Sequence, residues 1–258
     1  MSRVMIFAYG VACYIAFLGS FLYAIGFVAN VYVPKSIDST PTDTFGKALM
    51  INVALLMVFA LQHSIMARKG FKTMWTKVIP KAAERSTYVL FSSLALILLF
   101  WQWRPMGGIV WEVTDPVAKF MMHAVAVTGW LTVLATTYLI NHFDLFGLRQ
   151  VWLNLLGREY TPLRFTTPGP YRHVRHPLYV GWLMAFWATP TMTMAHLVFS
   201  LLTTAYILVA IRFEERDLER EHGRPYAEYR KRVPMLVPRF AANKDHGTPE
   251  PEVEGNIA

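Results

Sequence analysis

The chain has a single cysteine, Cys13, among its 258 residues. That excludes an internal disulfide and a cysteine-based metal cluster, and it leaves the redox compartment unread. Charge is also scarce: 16% of the residues are Asp, Glu, Lys or Arg, against about a quarter in a typical soluble domain. No two glycines stand two positions apart, so the G-x-G turn that cradles phosphates after a strand is missing. No internal repeat is evident. What is abundant is apolar surface, at 54% of the residues, gathered into blocks that match the roughly 20 residues a helix needs to cross a bilayer. The composition is that of an integral membrane protein.

Four long blocks stand out, Val4 to Val33, Ala48 to Ala67, Tyr88 to Trp103 and Val117 to Ile140. The first outruns the about 7–15 residues of a signal-peptide core and no A-x-A site closes it, so it is expected to persist as a helix. Trp101, Trp103 and Trp111 are expected in an interfacial aromatic belt. A fifth region, Leu178 to Ile211, is broken by Thr189-Pro190-Thr191 and predicts a kinked hairpin with arms of about 14 residues each. After it, Arg212 to Phe240 is charged at helical spacing, with Gly223 and Pro225 placed to end one helix and start the next. The stretch 241–258 is acidic, proline-bearing and aperiodic, as a disordered tail would be.

The net charge of +8 sits in loops between apolar blocks rather than in a stripe interleaved with stacking aromatics, which speaks against nucleic-acid binding and for contact with membrane lipids. Arg68, Lys69, Lys72, Lys77, Lys81 and Arg85 fill one loop. Arg149, Arg158, Arg164, Arg172 and Arg175 fill another. The two remaining loops carry only Lys35 and Arg104. The basic loops and both termini are therefore expected on the cytoplasmic side.

Two stretches can carry chemistry. In "YRHVRHPLY", Arg172, His173 and Arg175 can serve lipid phosphates while Pro177 opens a helix. His173 and His176 stand three apart, but the residue before a proline is pushed out of helical geometry and no carboxylate or cysteine is near in sequence, so no metal site is expected. In "RFEERDLEREHGRPYAEYRKRVP", Glu214 and Glu215 follow the apolar run directly. Carboxylates at that depth need partners, whether functional or the flanking Arg212 and Arg216.

Together the two stretches resemble the isoprenylcysteine and phospholipid methyltransferase superfamily of integral membrane methyltransferases. The resemblance lies in Arg175-His176-Pro177 with Tyr179 and Gly181, an apolar hairpin, Glu214-Glu215 with Leu218, then Gly223, Tyr226, Tyr229, Val233-Pro234 and Pro238. "LQHSIMARKGFK", "ERSTYVLFSSL" and "NHFDLFGLRQVW" look like the branch that methylates methanethiol to dimethyl sulfide, a branch related to NnrU-type membrane proteins. The resemblance implies an all-α polytopic bundle of about four long transmembrane helices, a C-terminal helical hairpin and a cytoplasmic helical segment, in a bacterial inner membrane. It implies S-adenosylmethionine as donor, S-adenosylhomocysteine as product and a small thiol as acceptor. Residues 1–145 are then the substrate side and 146–240 the cofactor side.

The same resemblance assigns cofactor contacts to Leu163, Arg164 and Thr166 in a strand-like segment, to Tyr171, His173, Arg175, His176, Pro177, Leu178 and Tyr179, and to Glu214 or Glu215. Free amides at the Pro177 helix start suit an anionic group. An acceptor thiol is largely protonated at neutral pH (a cysteine has a pKa of about 8.5), so a base or a cation should assist. His142, Asp144 and Arg149 are the expected catalytic group, with Asp144 orienting His142 or acting as base and Arg149 steadying a thiolate. Their alternative is interfacial anchoring. His63, Arg85 and Tyr88 are expected on the substrate side. A lipid or prenylcysteine acceptor, or a non-catalytic NnrU-like role, are the competing readings.

Overall fold

The computed structural model describes residues 2–238, so the tail expected over 241–258 lies outside the described residues. Five helices are long and apolar enough to span a membrane. These are α1 (Arg3–Ala29), α2 (Phe45–Met66), α4 (Glu84–Gln102), α5 (Pro116–Ile140) and α9 (Met194–His222). Short helices lie between and after them: α3 (Lys69–Trp75), α6 (His142–Leu145), α7 (Leu148–Leu155), α8 (Pro177–Trp187) and α10 (Arg224–Arg232). The all-α polytopic bundle expected from composition is what forms.

Local chemistry sets the boundaries. Ser2 and Asp115 cap α1 and α5 by accepting from the amides of Met5 and Ala118, as N-cap side chains do. Asn30, in left-handed geometry at φ 59°, closes α1. Thr128, Thr132 and Thr136 return their hydroxyls to carbonyls four residues back on α5. In lipid this leaves no hydroxyl wanting water.

The hairpin departs from expectation. Its first arm, α8, has 11 residues and its second, α9, has 29, instead of two arms of equal length. The charged run Arg212–His222 contains no breaker, so the apolar helix continues through it until Gly223, at φ 60°. Between the arms, β2 (Thr191–Thr193) pairs antiparallel with β1 (Ile109–Glu112). This pairing ties the bend to the loop between α4 and α5, at the far end of the bundle from Pro177.

The short arm is positioned by α5. An added Cβ on Gly129 would stand 2.6 Å from the Ala185 amide, and one on Gly181 would stand 2.8 Å from the Gly129 carbonyl. The two backbones touch through glycine alone, the close approach that small residues allow between membrane helices. The pairing is antiparallel, so the start of α8 lies beside the end of α5.

The main core joins α1, α2, α4, α8 and α9 through Phe27, Leu99, Phe100, Trp103, Phe186 and Phe199. Trp103 is fully buried and donates its indole N–H to the Ile37 carbonyl; it is a core residue and not the belt residue expected. Trp101 is 69% exposed, as a belt residue should be. The loop from Pro34 to Thr44 is pinned across this end. Lys35 Nζ donates to the Trp101 carbonyl at 2.6 Å, and Asn52 holds both backbone polar groups of Arg104. Asp38 accepts from Thr193 and from Asn30, with His196 3.7 Å away. Burial opposes ionisation of Asp38, but these donors win and hold its carboxyl below the usual range.

The glycine contact makes a test. Gly181→Ala and Gly129→Ala are each expected to cost about 1–3 kcal/mol by overpacking, read as earlier thermal unfolding in detergent. Gly19→Ala, whose added methyl meets nothing within 4 Å, serves as control. Equal unfolding temperatures for all three variants would refute the contact.

Candidate active site

A cavity of about 300 Å³ opens where α8 begins, and five pieces of chain wall it. From α8 come Leu178 and Tyr179, preceded by Arg175 and His176. From α9 come Glu214, Leu218 and His222, four apart and so on one helix face. The segment 163–167 forms a third wall, Tyr226 and Tyr229 of α10 a fourth, and Ile140 with Leu145 the side toward the membrane. The segment expected to be strand-like pairs with no strand; Leu163, Arg164 and Thr166 line the cavity from irregular chain.

The two glutamates divide. Glu215 is 6% exposed and accepts from Arg175 Nε at 2.7 Å and His176 Nε2 at 3.1 Å, with Arg230 Nε 3.3 Å from its other oxygen. Its charge is spent on structure, and it does not line the cavity. Glu214 does line it. Its side chain is 44% exposed, accepts from the Tyr179 hydroxyl at 2.9 Å and stands 3.9 Å from His176 Nδ1.

Arg175 also braces the chain end, donating to the Arg230 and Val233 carbonyls. The amides of Arg175 and His176 donate to the carbonyls of Pro234 and Met235. Those two amides are thus taken by the chain itself and are not free for an anion. Pro177 and His173 face away and line an outer groove between α5 and α8.

Aromatic rings close the rest. Phe165 meets His222 at 5.0 Å, Tyr226 at 5.7 Å and Tyr229 at 5.6 Å between centroids. The Tyr229 hydroxyl donates to the Tyr171 carbonyl at 2.6 Å. Among the described residues the buried hydroxyl of cavity-lining Tyr226 has no hydrogen-bond partner, a demand that a water or a ligand can meet. Burial pushes Tyr229 up to about 12, and raises Tyr171 and Tyr226 as well, Tyr171 further by nearby Glu214. All three phenols stay protonated, serving as donors and ring faces rather than bases.

The expected catalytic group does not converge. His142 is 4% exposed, hydrogen-bonded to Tyr14 at 2.8 Å and Thr137 at 2.9 Å, and stacked on Tyr138 at 4.3 Å. Burial lowers its pKa, favouring the neutral ring. Asp144 does not orient it. Asp144 pairs instead with Arg149 at 2.8 Å, and Arg149 is further held by Thr161. None of the three lines the cavity. His63, Arg85 and Tyr88 do come together. His63 Nε2 lies 2.8 Å from the Tyr88 hydroxyl, and the Arg85 guanidinium sits 4.9 Å above the Tyr88 ring. Arg85 Nε donates to the carbonyl of cavity-lining Leu145 at 2.7 Å.

Sequence reasoning left out Phe165, Leu218, His222, Tyr226 and Tyr229 as site residues. The four-residue spacing from Glu214 was a signal for Leu218 and His222. Nothing in the sequence marks Tyr226 as an orphan donor.

Comparisons with known proteins place the chain in a family. A family model described as phospholipid methyltransferase matches residues 120–224, the stretch that holds α8 and the Glu214 face. A methanethiol S-methyltransferase of Crocosphaera subtropica is 56% identical over 92% of this chain and 93% of its own. One from Mycobacterium tuberculosis is 50% identical over 92% of this chain and 98% of its own. Nurim of Mus musculus is 32% identical over 66% of this chain and 68% of its own. No solved structure matches. With half or more of the residues shared along nearly the whole length, the chain belongs to the methanethiol S-methyltransferase family of integral membrane methyltransferases.

Proposed function

We propose that the cavity binds S-adenosylmethionine from the cytoplasm and that the protein methylates a small apolar thiol, methanethiol, to dimethyl sulfide. The observation that carries the reading is the donor set on one cavity. An accessible carboxylate (Glu214), a cation (Arg164) and an orphan phenol (Tyr226) stand among aromatic rings. The donor is cationic at sulfur and ammonium and anionic at carboxylate. Glu214 suits the cationic part, ring faces suit the sulfonium, and Arg164 suits the carboxylate. When bound, S-adenosylmethionine supplies an electrophilic methyl on a positively charged sulfur.

The chain's own residues do the rest. Tyr179 fixes the Glu214 carboxylate by its hydroxyl. The segment Val233–Met235, hydrogen-bonded to Arg175 and His176, covers the entry to α8 and limits water. A cavity of about 300 Å³ is at the small end of ligand sites. The donor fills much of it, which favours an acceptor of very few atoms over a lipid or prenyl chain. The basic loops support a cytoplasmic position for this end and for both termini.

Purified protein given S-adenosylmethionine and methanethiol is expected to release dimethyl sulfide into the headspace. No product and no calorimetric binding of the donor would sink the reading. Glu214→Gln is expected to raise the donor Kd roughly 10- to 100-fold, since hydrogen bonds to charged groups contribute about 1.5–3 kcal/mol, with thermal unfolding unchanged. Glu215→Gln leaves buried cations unpaired and should cost about 3 kcal/mol of stability. If the two variants swap these phenotypes, the roles are reversed. Tyr226→Phe should leave the free protein as stable as before and weaken donor binding about 2- to 10-fold, the worth of one neutral hydrogen bond. Unchanged affinity would mean that the orphan hydroxyl meets no ligand.

A further inference from the structure

Thiol methylation needs a sulfur anion, and Arg149, the cation expected to steady it, is committed to Asp144 and Thr161. Arg68, Arg175 and Arg230 likewise each meet a carboxylate. Arg85 differs. It opens α4 at the membrane boundary and is half-buried, and among the described residues it forms no ion pair. One hydrogen bond, from Nε to the Leu145 carbonyl, and the face of Tyr88 are its recorded contacts. A half-desolvated guanidinium without a counter-ion is costly, so its place in the fold calls for an anion.

The surroundings describe that anion. Tyr88, Met66 and Val89 form a buried apolar cluster with Phe17, Ala67, Phe71 and Phe146 around them. Leu145, whose carbonyl Arg85 holds, lines the cofactor cavity. A group placed between them meets a cation on one side and hydrocarbon on the other. A one-carbon thiolate, anionic at sulfur and apolar at its methyl, suits both sides. The Arg85 plane is set by a small framework: Tyr88 lies beneath it, with its hydroxyl bonded to His63 Nε2, and His63 Nδ1 lies 3.1 Å from Ser92 Oγ.

Building on the thiol-methylating reading above, we infer that Arg85 is the anion site for the acceptor, holding it as a thiolate, with Tyr88 and His63 as positioning residues. The step assigned to Arg85 is ionisation alone. The S–H bond breaks, its electron pair stays on sulfur, and the proton leaves to cytoplasmic water. An opposite charge within a few ångströms lowers an acid's pKa by about 1–3 units, so about 10- to 1,000-fold more of the bound thiol is ionised at a given pH.

The test compares methanethiol with 2,2,2-trifluoroethanethiol, a far more acidic thiol, across pH 6–10. Wild type, Arg85→Gln and Arg85→Lys are assayed for kcat at saturating thiol, whose pH profile reports ionisation in the bound complex, and for donor Kd by calorimetry and thermal unfolding. For Arg85→Gln the expected loss with methanethiol is about 10- to 1,000-fold, with the rising limb of the pH profile displaced upward by about 1–3 units. At the alkaline end of that range, where the acidic thiol is already ionised, its loss in kcat should stay under about 5-fold, and donor Kd should move by less than about twofold. Arg85→Lys keeps the charge and should recover part of the methanethiol rate. Equal losses for both thiols, no loss for either, or a donor Kd raised about tenfold would overturn the assignment. If wild-type protein binds the donor but methylates neither thiol, the thiol reading itself fails and Arg85 loses its role with it.

Discussion

Glu215 is a carboxylate near the end of a membrane helix, held by Arg175, His176 and Arg230 from two other stretches of chain, and the site depends on that pairing. Arg175 and His176 come from the entry to α8, Arg230 from α10, and the glutamate from α9. Arg175 and Glu215 are the buried pair, and removing either would strand the other's charge in a dry setting at a cost of several kcal/mol. The ion pair therefore does more than hold two elements together. It gathers the short helix, the long helix and the chain end around one cavity. It also consumes the positive charge of Arg175, so that the field inside the cavity is left to Glu214 and Arg164.

Adjacent glutamates can play such different parts because neighbouring helix positions point about 100° apart. Glu214 looks into the cavity with Leu218 and His222, while Glu215 looks toward the body of the protein. The direction of α9 is in turn fixed from the far side. The backbone contact of Gly129 with Gly181 seats α8 against α5, and the β1–β2 pairing holds the bend from which α9 sets out.

Much of this was legible in the residues. Apolar blocks announced the helices, and the Arg-His-Pro stretch and the glutamate pair marked residues that the fold brings to one cavity. What was not legible is instructive. Charges after Ile211 suggested the end of a membrane helix, yet charge does not break a helix and Gly223 does. His142, Asp144 and Arg149 are close in sequence but part in space. Asn141, at φ 151°, turns the chain, sending His142 inward to Tyr14 and Thr137 while Asp144 finds Arg149. His173 and Pro177, from the same short stretch as Tyr179, face the outer groove. That Tyr226 lacks a polar partner and Arg85 an ionic one among the described residues is a property of an assembled surface and has no one-dimensional trace.

The knotted loop Pro34–Thr44 carries a consequence for traffic. Asp38, Lys35, Ile37 and Asn52 stitch that end with hydrogen bonds, the one to Ile37 fully buried. On the proposed reading, a charged donor and its spent product use the cavity beside α8 in turn. An uncharged thioether, at home in hydrocarbon, has a second way out, sideways between helices into the bilayer.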